Sequence, residues 1–430
     1  MQRLIVSTLV AVVSLHLFSA GAMADDRDAC DDPTGGDIDA CSRLIQRNPR
    51  DMVALVNRGS AHSENEDYDE AIADYSEAIK LDPKKAVVFG KRGDAYRGNG
   101  RPDLAIADYS EAIRLDPKNA VMMLLGRASA YSDNGDHDQA IADYSEVIKL
   151  DPKKAVVFGK RGDAYRENGN PDLAIADYSE AIRLDPKNAV TMLLSRASAY
   201  SDKGDHDHAI ADCSEVIRLD PKNVVAFFNR GSAYDAKGEY DQAIADYGET
   251  IKLEPGFVLG YAGRALDYQR KGNPDPAIAD YSELIRLNPK DAAAFNGRGF
   301  CYHAKGEYDR AIADYSEAIR LDPKFGLASM GRGEAYAKKG DHDRAIADYS
   351  EAIRLDPKNA MALYDRARSY DAKGGYDRAI VDYSVVIGLY PKFGPAYIGR
   401  AGAYEKKGDH DHAMADMNEA KRLPPMGGRP

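Results

Sequence analysis

The stretch AIADYSEAIRLDP, at residues 105–117, decides the fold of this protein. Its apolar side chains recur with the period of an α-helix and form a single stripe. The Asp-Pro pair that follows ends the helix. Because a helix with one apolar face cannot bury that face alone, the sequence predicts that copies of this helix stack on one another. Identical copies lie at 174–186, 311–323 and 345–357.

The prolines that close these stretches recur at a fixed spacing of 34 residues, except for 35 at the steps to Pro152 and Pro221. This period outweighs the two or three ordinary domains that 430 residues would suggest, and it indicates one helix pair per repeat. A first helix, such as 87–100, ends at a glycine before the second helix begins. The prolines are Pro49, Pro83, Pro117, Pro152, Pro186, Pro221, Pro255, Pro289, Pro323, Pro357, Pro391 and Pro425.

The chain resembles the tetratricopeptide repeat (TPR) family. That family has a large residue, a small residue and Tyr on the first helix, then Ala, an aromatic residue, a small residue and Pro. The resemblance implies an all-α, right-handed superhelical solenoid of antiparallel helix pairs, with eleven repeats over 52–425. It leaves a degenerate capping helix within 25–51 and a tail at 426–430. The second repeat matches the pattern at Phe89, Gly93, Tyr96, Ala105, Tyr109, Ala112 and Pro117.

Residues 84–152 and 153–221 are nearly identical, which indicates duplication of a repeat pair. Each copy contains one residue more than the 34-residue period. The alignment places the extra residue inside the first helix, ahead of Arg127 and again ahead of Arg196. We expect a local widening of the helix or a lengthened turn at both places.

The first 24 residues have the pattern of a cleaved export signal. Arg3 precedes an apolar run at 4–18, and Ala22-Met23-Ala24 forms a cleavage site. A membrane anchor is the alternative, but the run is shorter than the roughly 18 residues that a span usually needs. We therefore predict a periplasmic or secreted protein that has no membrane insertion after cleavage.

The net charge of the chain limits the classes of partner, and its cysteines bear on the redox conditions of its compartment. The formal net charge of −12 argues against nucleic acid and anionic membranes as partners. Cys30 and Cys41 lie close together in the sequence, where an oxidising compartment would allow a disulfide. Cys213 replaces the second-helix Tyr, so we interpret it as a small buried hydrophobe, with a reactive thiol as the alternative.

Every repeat carries an Arg on its first helix and an Asp 16 residues later on its second, as in Arg92 and Asp108. Antiparallel helices would bring the two together in a charge-assisted hydrogen bond. The alternative is a row of arginines that binds acidic ligands. We favour the structural role, because each Arg has an Asp partner in its own repeat.

Four Asp-His-Asp segments, such as Asp136-His137-Asp138, resemble metal ligands. They fall in the turn between the two helices, and their spacing does not provide a set of four ligands around one metal ion. The acidic residue before each His would serve as a helix N-cap. We therefore predict no metal site and no cofactor.

In the TPR family the first helices line a concave surface, where positions 2, 5, 6 and 9 face a ligand. The amino-terminal half would present a mixed polar wall there, and the carboxyl-terminal half a row of apolar side chains that favours peptide binding. Ordinary packing of these residues is the alternative. The candidates are Asn57, Lys91, Asp94, Lys160 and Asp163, then Phe228, Asn229, Leu259, Leu266, Phe300, Met330, Tyr364 and Ile398.

The repeats leave too little chain for a catalytic domain, and no phosphate loop or nucleophile elbow appears. We predict a non-enzymatic scaffold that binds extended peptide or protein segments. A self-associating spacer is the alternative, with a homo-oligomer formed through the terminal repeats and the methionines Met414 and Met417.

Overall fold

In a computed structural model of the chain, the described residues are 25–32 and 37–423. All regular secondary structure in these two ranges is helical. None of their helices is both long and apolar enough to cross a membrane. The predicted signal segment, the predicted tail and Pro425 lie outside the described residues.

The described helices after residue 37 form a first helix, α1, and then eleven antiparallel pairs. Repeat 1 is α2 with α3, and the numbering continues to repeat 11, which is α22 with α23. The helices are α1 Ile38–Arg47, α2 Met52–Glu64, α3 Tyr68–Leu81, α4 Ala86–Gly98, α5 Pro102–Leu115, α6 Val121–Asp133, α7 His137–Leu150, α8 Ala155–Glu167, α9 Pro171–Leu184, α10 Ala189–Asp202, α11 His206–Leu219, α12 Val224–Ala236, α13 Tyr240–Leu253, α14 Val258–Arg270, α15 Pro274–Leu287, α16 Ala292–Ala304, α17 Tyr308–Leu321, α18 Gly326–Lys338, α19 His342–Leu355, α20 Ala360–Ala372, α21 Tyr376–Leu389, α22 Gly394–Lys406 and α23 His410–Arg422.

The helices divide into two compact units. The division falls within α11, so unit 1 extends to Glu215 and unit 2 begins at Val216. In unit 1, α1 packs against α2, and the structure joins Cys41 of α1 to Cys30 in a disulfide with a Cα–Cα distance of 4.9 Å.

A buried tyrosine on the second helix holds neighbouring repeats together. The ring of Tyr109 lies between Gly93 of its own repeat and Gly126 of the next, and a Cβ added at these glycines would come within 3.0 and 2.6 Å of it. Tyr315 of unit 2 fits between Gly299 and Gly331 in the same way. In these repeats glycine allows the close approach, and the residues equivalent to Gly93 elsewhere, such as Ala128 and Ala265, are also small, so small residues at this position of the first helices are needed for packing.

The predicted Arg–Asp pair is confirmed in all eleven repeats of the described chain. Arg92 shows the geometry: its Nε and Nη2 donate to the two carboxylate oxygens of Asp108 at 2.7 and 2.8 Å. Its Nη1 donates to Ser76 of the preceding repeat at 3.0 Å. The Asp raises the guanidinium pKa further above its ordinary value. Such an Arg therefore joins its own hairpin and, wherever the preceding second helix supplies the serine, also links it to that helix.

The extra residue of repeats 3 and 5 is accommodated by a lengthened turn. Two 3₁₀ turns, Pro117–Asn119 and Pro186–Asn188, precede α6 and α10. The lengthened turn was predicted correctly. In repeat 3 it lies ahead of the first helix and not inside it, because α6 keeps the usual 13 residues, whereas in repeat 5 α10 has 14 residues and so also takes up the extra residue, as predicted. An insertion in the middle of a helix would rotate every later side chain by about 100° and misplace the packing face, which a change at the start of the helix avoids.

The turn between the two helices of a repeat needs a left-handed residue. Gly100 takes a φ of 68°, and Glu66 adopts nearly the same conformation in repeat 1, with a φ of 65°. A residue other than glycine is uncommon there, so repeat 1 is the strained exception.

Candidate functional site

The ninth position of each repeat, two residues after the repeated Arg, varies in chemistry from repeat to repeat. In repeats 1 to 4 and in repeat 6 it is a Ser or Asp that is hydrogen-bonded to the packing tyrosine of the same repeat. The Tyr109 hydroxyl donates to Asp94 at 2.6 Å, and the Tyr178 hydroxyl donates to Asp163 at 2.7 Å. Burial, and then the charge of Asp94, raise the pKa of Tyr109, so the hydroxyl stays protonated. These two candidate residues therefore also take part in the packing of the repeats.

The other polar candidates of unit 1 differ in their surroundings. Lys91 is half-buried and its Nζ donates to Ser60 of repeat 1 at 2.9 Å. Asn57 donates to Asp31 at 2.8 Å. Lys160 is exposed. The structure thus gives Lys91 and Asn57 partners within the chain and leaves Lys160 at the surface.

In two consecutive repeats of unit 2 the ninth position is instead apolar and exposed, whereas the other repeats of this unit have Ser, Glu, Arg or Gly there. Leu266 of α14 and Phe300 of α16 occupy it in consecutive repeats, and Phe300 is 49% exposed. Leu259 lies seven residues before Leu266, on the same face of α14, and is also exposed. The structure therefore places three of the predicted apolar candidates on the first-helix face of repeats 7 and 8.

Three other apolar candidates are half-buried and packed to different degrees. The Phe228 ring lies 5.2 Å from that of Phe257, centroid to centroid, and the Tyr364 ring 5.3 Å from that of Phe393. Met330 is half-buried as well. For Phe228 and Tyr364, packing within the array is therefore at least part of their role, which was the alternative interpretation.

The remaining two candidates are Ile398, which is exposed, and Asn229, which is half-buried. Ile398 lines an open groove of about 690 Å³ at the end of unit 2, together with Met414 and Met417. Lys421 also borders this groove, so the end face is partly charged.

Sequence reasoning missed an apolar row at the second position of the first helices in unit 1. These side chains are exposed, so the amino-terminal face is less polar than predicted. The same position had supplied Leu259 in unit 2, and comparing it across all repeats would have revealed the row. Its members are Val53, Val87, Met122 and Val156.

Sequence reasoning also missed a buried carboxyl group. Asp267 of α14 is fully buried and stands where eight repeats have Ala. Asp235 and Arg270 lie beside it, and Arg270 approaches Asp267 at 3.4 Å while pairing with Asp235. Desolvation, followed by the charge of Asp235, raises the pKa of Asp267 to about 7. The signal was present, because a charged residue at an alanine position is unexpected.

Models of the tetratricopeptide repeat match residues 53–85, 91–257, 262–381 and 394–425. Together these segments cover most of the chain. The chain belongs to the tetratricopeptide repeat family. TPR repeats of this kind indicate a protein–protein interaction scaffold.

Solved TPR structures resemble parts of this chain. A TPR protein from Parabacteroides merdae is 20% identical and covers 60% of this chain and 98% of its own, with a TM-score of 0.44. MamA is 30% identical over 38% of this chain and 95% of its own, with a TM-score of 0.37. YrrB, a TPR protein with an unusual peptide-binding site, is 20% identical over 43% and 95%, with a TM-score of 0.40. A search of curated proteins finds no match.

Several histidines of these TPR turns, among them His208 and His412, contact acidic neighbours. His208 Nδ1 lies 2.8 Å from Asp205, and Asp341 caps α19 by accepting from the backbone of Arg344. Asp136 does not cap α7 as predicted, because it accepts from the Asn134 side chain at 2.7 Å instead. Among the described residues, no group of three His, Cys, Asp or Glu side chains could hold a metal ion.

The two cysteines outside the disulfide are both buried. Burial raises the pKa of Cys301 to about 11, so its thiol is protonated at neutral pH. Cys213 replaces the packing tyrosine and lies in the core, where a small hydrophobe was predicted.

Proposed function

We propose that this protein is a non-enzymatic scaffold that binds an extended segment of a partner protein on the first-helix face of repeats 7 and 8. The anchors are Leu259, Leu266 and Phe300. Exposed apolar side chains in register on neighbouring helices favour partner binding, and aromatic residues commonly carry much of the binding energy.

One observation carries this proposal. At the ninth position, repeats 2 and 4 use Asp94 and Asp163 to accept hydrogen bonds from buried tyrosines, whereas repeats 7 and 8 place Leu266 and Phe300 there, exposed to solvent. Packing does not explain an exposed apolar side chain at two consecutive repeats. A partner that covers them does, since burying such side chains is favourable by about 1.5–3 kcal/mol each.

A photo-crosslinker at Phe300 tests the site. Replacing Phe300 with p-benzoylphenylalanine in cells should crosslink a defined partner segment, which mass spectrometry identifies. The same replacement at Leu173, an exposed apolar residue on the second helix α9, is the matched control. Equal labelling from both positions would contradict a specific site.

The segment found in this way is then synthesised and titrated. Leu266→Ser with Phe300→Ser should weaken its binding at least about 10-fold, because each lost anchor costs more than about 1 kcal/mol. Val87→Ser, which removes an exposed apolar side chain in unit 1, should leave the affinity unchanged.

Export of the protein belongs to the same proposal. It is supported by the signal-like residues 1–24 and by the disulfide between Cys30 and Cys41. Mass spectrometry of the protein from fractionated cells should show a chain that begins at Asp25, with both thiols resistant to alkylation until reduction. A full-length chain in the cytoplasmic fraction with free thiols would refute export.

A further inference from the structure

The second helix of repeat 10, α21, differs from the other second helices on its outer face. Where the ten other repeats have Ala, it has Val381, and where they have Glu, it has Val385. Gly388 replaces a Lys or Arg, and Tyr390 stands where most repeats have an acidic residue. Four outward positions of a single helix have therefore lost their usual polar or small residues.

These residues form one exposed apolar surface. The residues at 381, 385, 388 and 389 follow the i, i+4, i+7, i+8 spacing of one helix face. Val381, Val385 and Leu389 are 61, 42 and 36% exposed. A Cβ added at Gly388 would meet no heavy atom within 4 Å, so the glycine leaves an open notch beside Val385. We call Val381, Val385, Gly388 and Leu389 the α21 patch.

The second helices before and after α21 in the array keep their charges. Glu351 and Arg354 of α19 pair at 2.6 Å, and Glu419 and Arg422 of α23 pair at 3.2 Å. These pairs occupy the same positions in their repeats as Val385 and Gly388. The α21 patch is therefore an apolar strip that has a Glu–Arg pair in the repeat on either side.

We propose that the α21 patch binds a second copy of this chain, with the two α21 helices antiparallel about a two-fold axis. The axis passes midway between Val385 and Gly388. It places each Val385 side chain over the notch at Gly388 of the partner subunit, and symmetry makes this contact twice.

Charge complementarity supports the antiparallel arrangement. In the same register, Glu351 lies opposite Arg354 of the partner subunit, and Glu419 lies opposite Arg422 of the partner subunit. A parallel arrangement would instead place α19 opposite α23 of the partner subunit, and would bring Glu351 against Glu419 of the partner subunit. Like charges facing each other disfavour that alternative.

The size of the patch limits the strength of the dimer. Stable interfaces bury about 800 Å² on each partner, more than the outer face of one four-turn helix supplies. The flanking pairs of α19 and α23 must therefore complete the interface. We expect a dimer that dissociates on dilution into the low micromolar range.

Charge-swap variants of the full chain test the dimer and its register. Light scattering after gel filtration, from about 1 to 200 µM, should show wild-type chains reaching twice the single-chain mass. Val385→Glu with Gly388→Glu places four carboxylates at the contact, and Val385→Lys with Gly388→Lys places four ammonium groups there. Each variant alone should keep the single-chain mass at every concentration, and an equimolar mixture of the two should recover the doubled mass.

Both variants should fold, because the other repeats carry charged residues at these two positions, Glu at the first and Lys or Arg at the second, and circular dichroism checks this. Met414→Gln with Met417→Gln, at the end of unit 2, should leave the dimer intact. A monomeric wild type, a dimer in either charged variant alone, a mixture that stays monomeric, or dissociation only in the methionine variant would each overturn the proposal.

Discussion

The ninth position of the first helices differs between repeats 2 and 4 of unit 1 and repeats 7 and 8 of unit 2, although the second helices that pack behind it are almost the same. In unit 1, Asp94 and Asp163 accept hydrogen bonds from Tyr109 and Tyr178. In repeat 7, Leu266 is exposed at this position, and the hydroxyl of Tyr281 donates to Gln269 at 3.1 Å instead.

The difference shows how a repeat can change its surface without changing its core. The buried tyrosine hydroxyl needs an acceptor, and in unit 1 the ninth position provides it. Once Gln269 of α14 supplies the acceptor for Tyr281, the ninth position of that repeat is available for an apolar residue. The aspartates at the ninth position of repeats 2 and 4 thus serve packing, while Leu266 and Phe300 of repeats 7 and 8 are available to a partner.

The largest expected effect on stability comes from the Arg–Asp pair, which both units share. Arg298→Ala removes the partner of Asp314 and Ser282, and should lower the free energy of unfolding by about 3 kcal/mol because a buried carboxylate is left uncompensated. Calorimetry or thermal circular dichroism measures this loss. The effect on partner binding should be smaller than the effect on stability.

The matched control is Arg264→Ala. Arg264 pairs with Asp280, but Gly248 stands where the bridging Ser would be. Its loss should therefore cost about 1 kcal/mol less than the loss of Arg298. If Arg298→Ala weakened partner binding while stability stayed unchanged, the arginines would belong to a ligand surface instead.

A second test uses the buried carboxyl of unit 2. The raised pKa of Asp267 means that the folded chain holds a proton that the unfolded chain releases above pH 4, so stability falls as the pH rises toward 7. Asp267→Ala should remove this loss and stabilise unit 2 by about 2 kcal/mol at pH 8. Denaturant unfolding at pH 5 and pH 8 measures the difference.

Asp235→Asn provides the comparison for that test, because it removes the neighbouring charge and leaves Asp267 in place. The pH dependence should shrink but persist, since desolvation is the larger cause of the raised pKa. A wild-type protein whose stability rises between pH 5 and pH 7 would show that Asp267 does not dominate.

The smallest expected effect on stability comes from substitutions at the ninth position. Asp94→Ala leaves the Tyr109 hydroxyl without its acceptor and should cost about 1–2 kcal/mol of stability. Phe300→Ser should cost only about 0.5 kcal/mol, because that side chain is half in solvent. Chemical denaturation measures both, and equal costs would remove the distinction between the two faces.

Sequence periodicity predicted the helix pairs, the packing tyrosine and the Arg–Asp pair, because each depends on residues that recur at a fixed spacing. The serine that joins most of these arginines to the preceding second helix was not predicted, although it stands beside the tyrosine in the most repeated stretch. Its partner lies in another repeat, and spacing within one repeat does not reveal contacts between repeats.

The candidate site was harder to predict for the same reason. Leu266 and Phe300 are exposed, but Phe228 and Tyr364 pack partly against aromatic neighbours. Helical position alone indicates which way a side chain points, whereas burial depends on the size of the residues around it.

The sequence by itself determined that the chain forms stacked helix pairs, because the 34-residue period and the apolar stripe leave each helix in need of a neighbour. Only the tertiary structure decided which polar residues are hydrogen-bonded to the packing tyrosines and which apolar residues stay exposed. It also revealed the notch at Gly388 and the buried carboxyl of Asp267. Hydrogen bonding and burial are relations between residues distant in sequence, so they become visible only when the helices are packed.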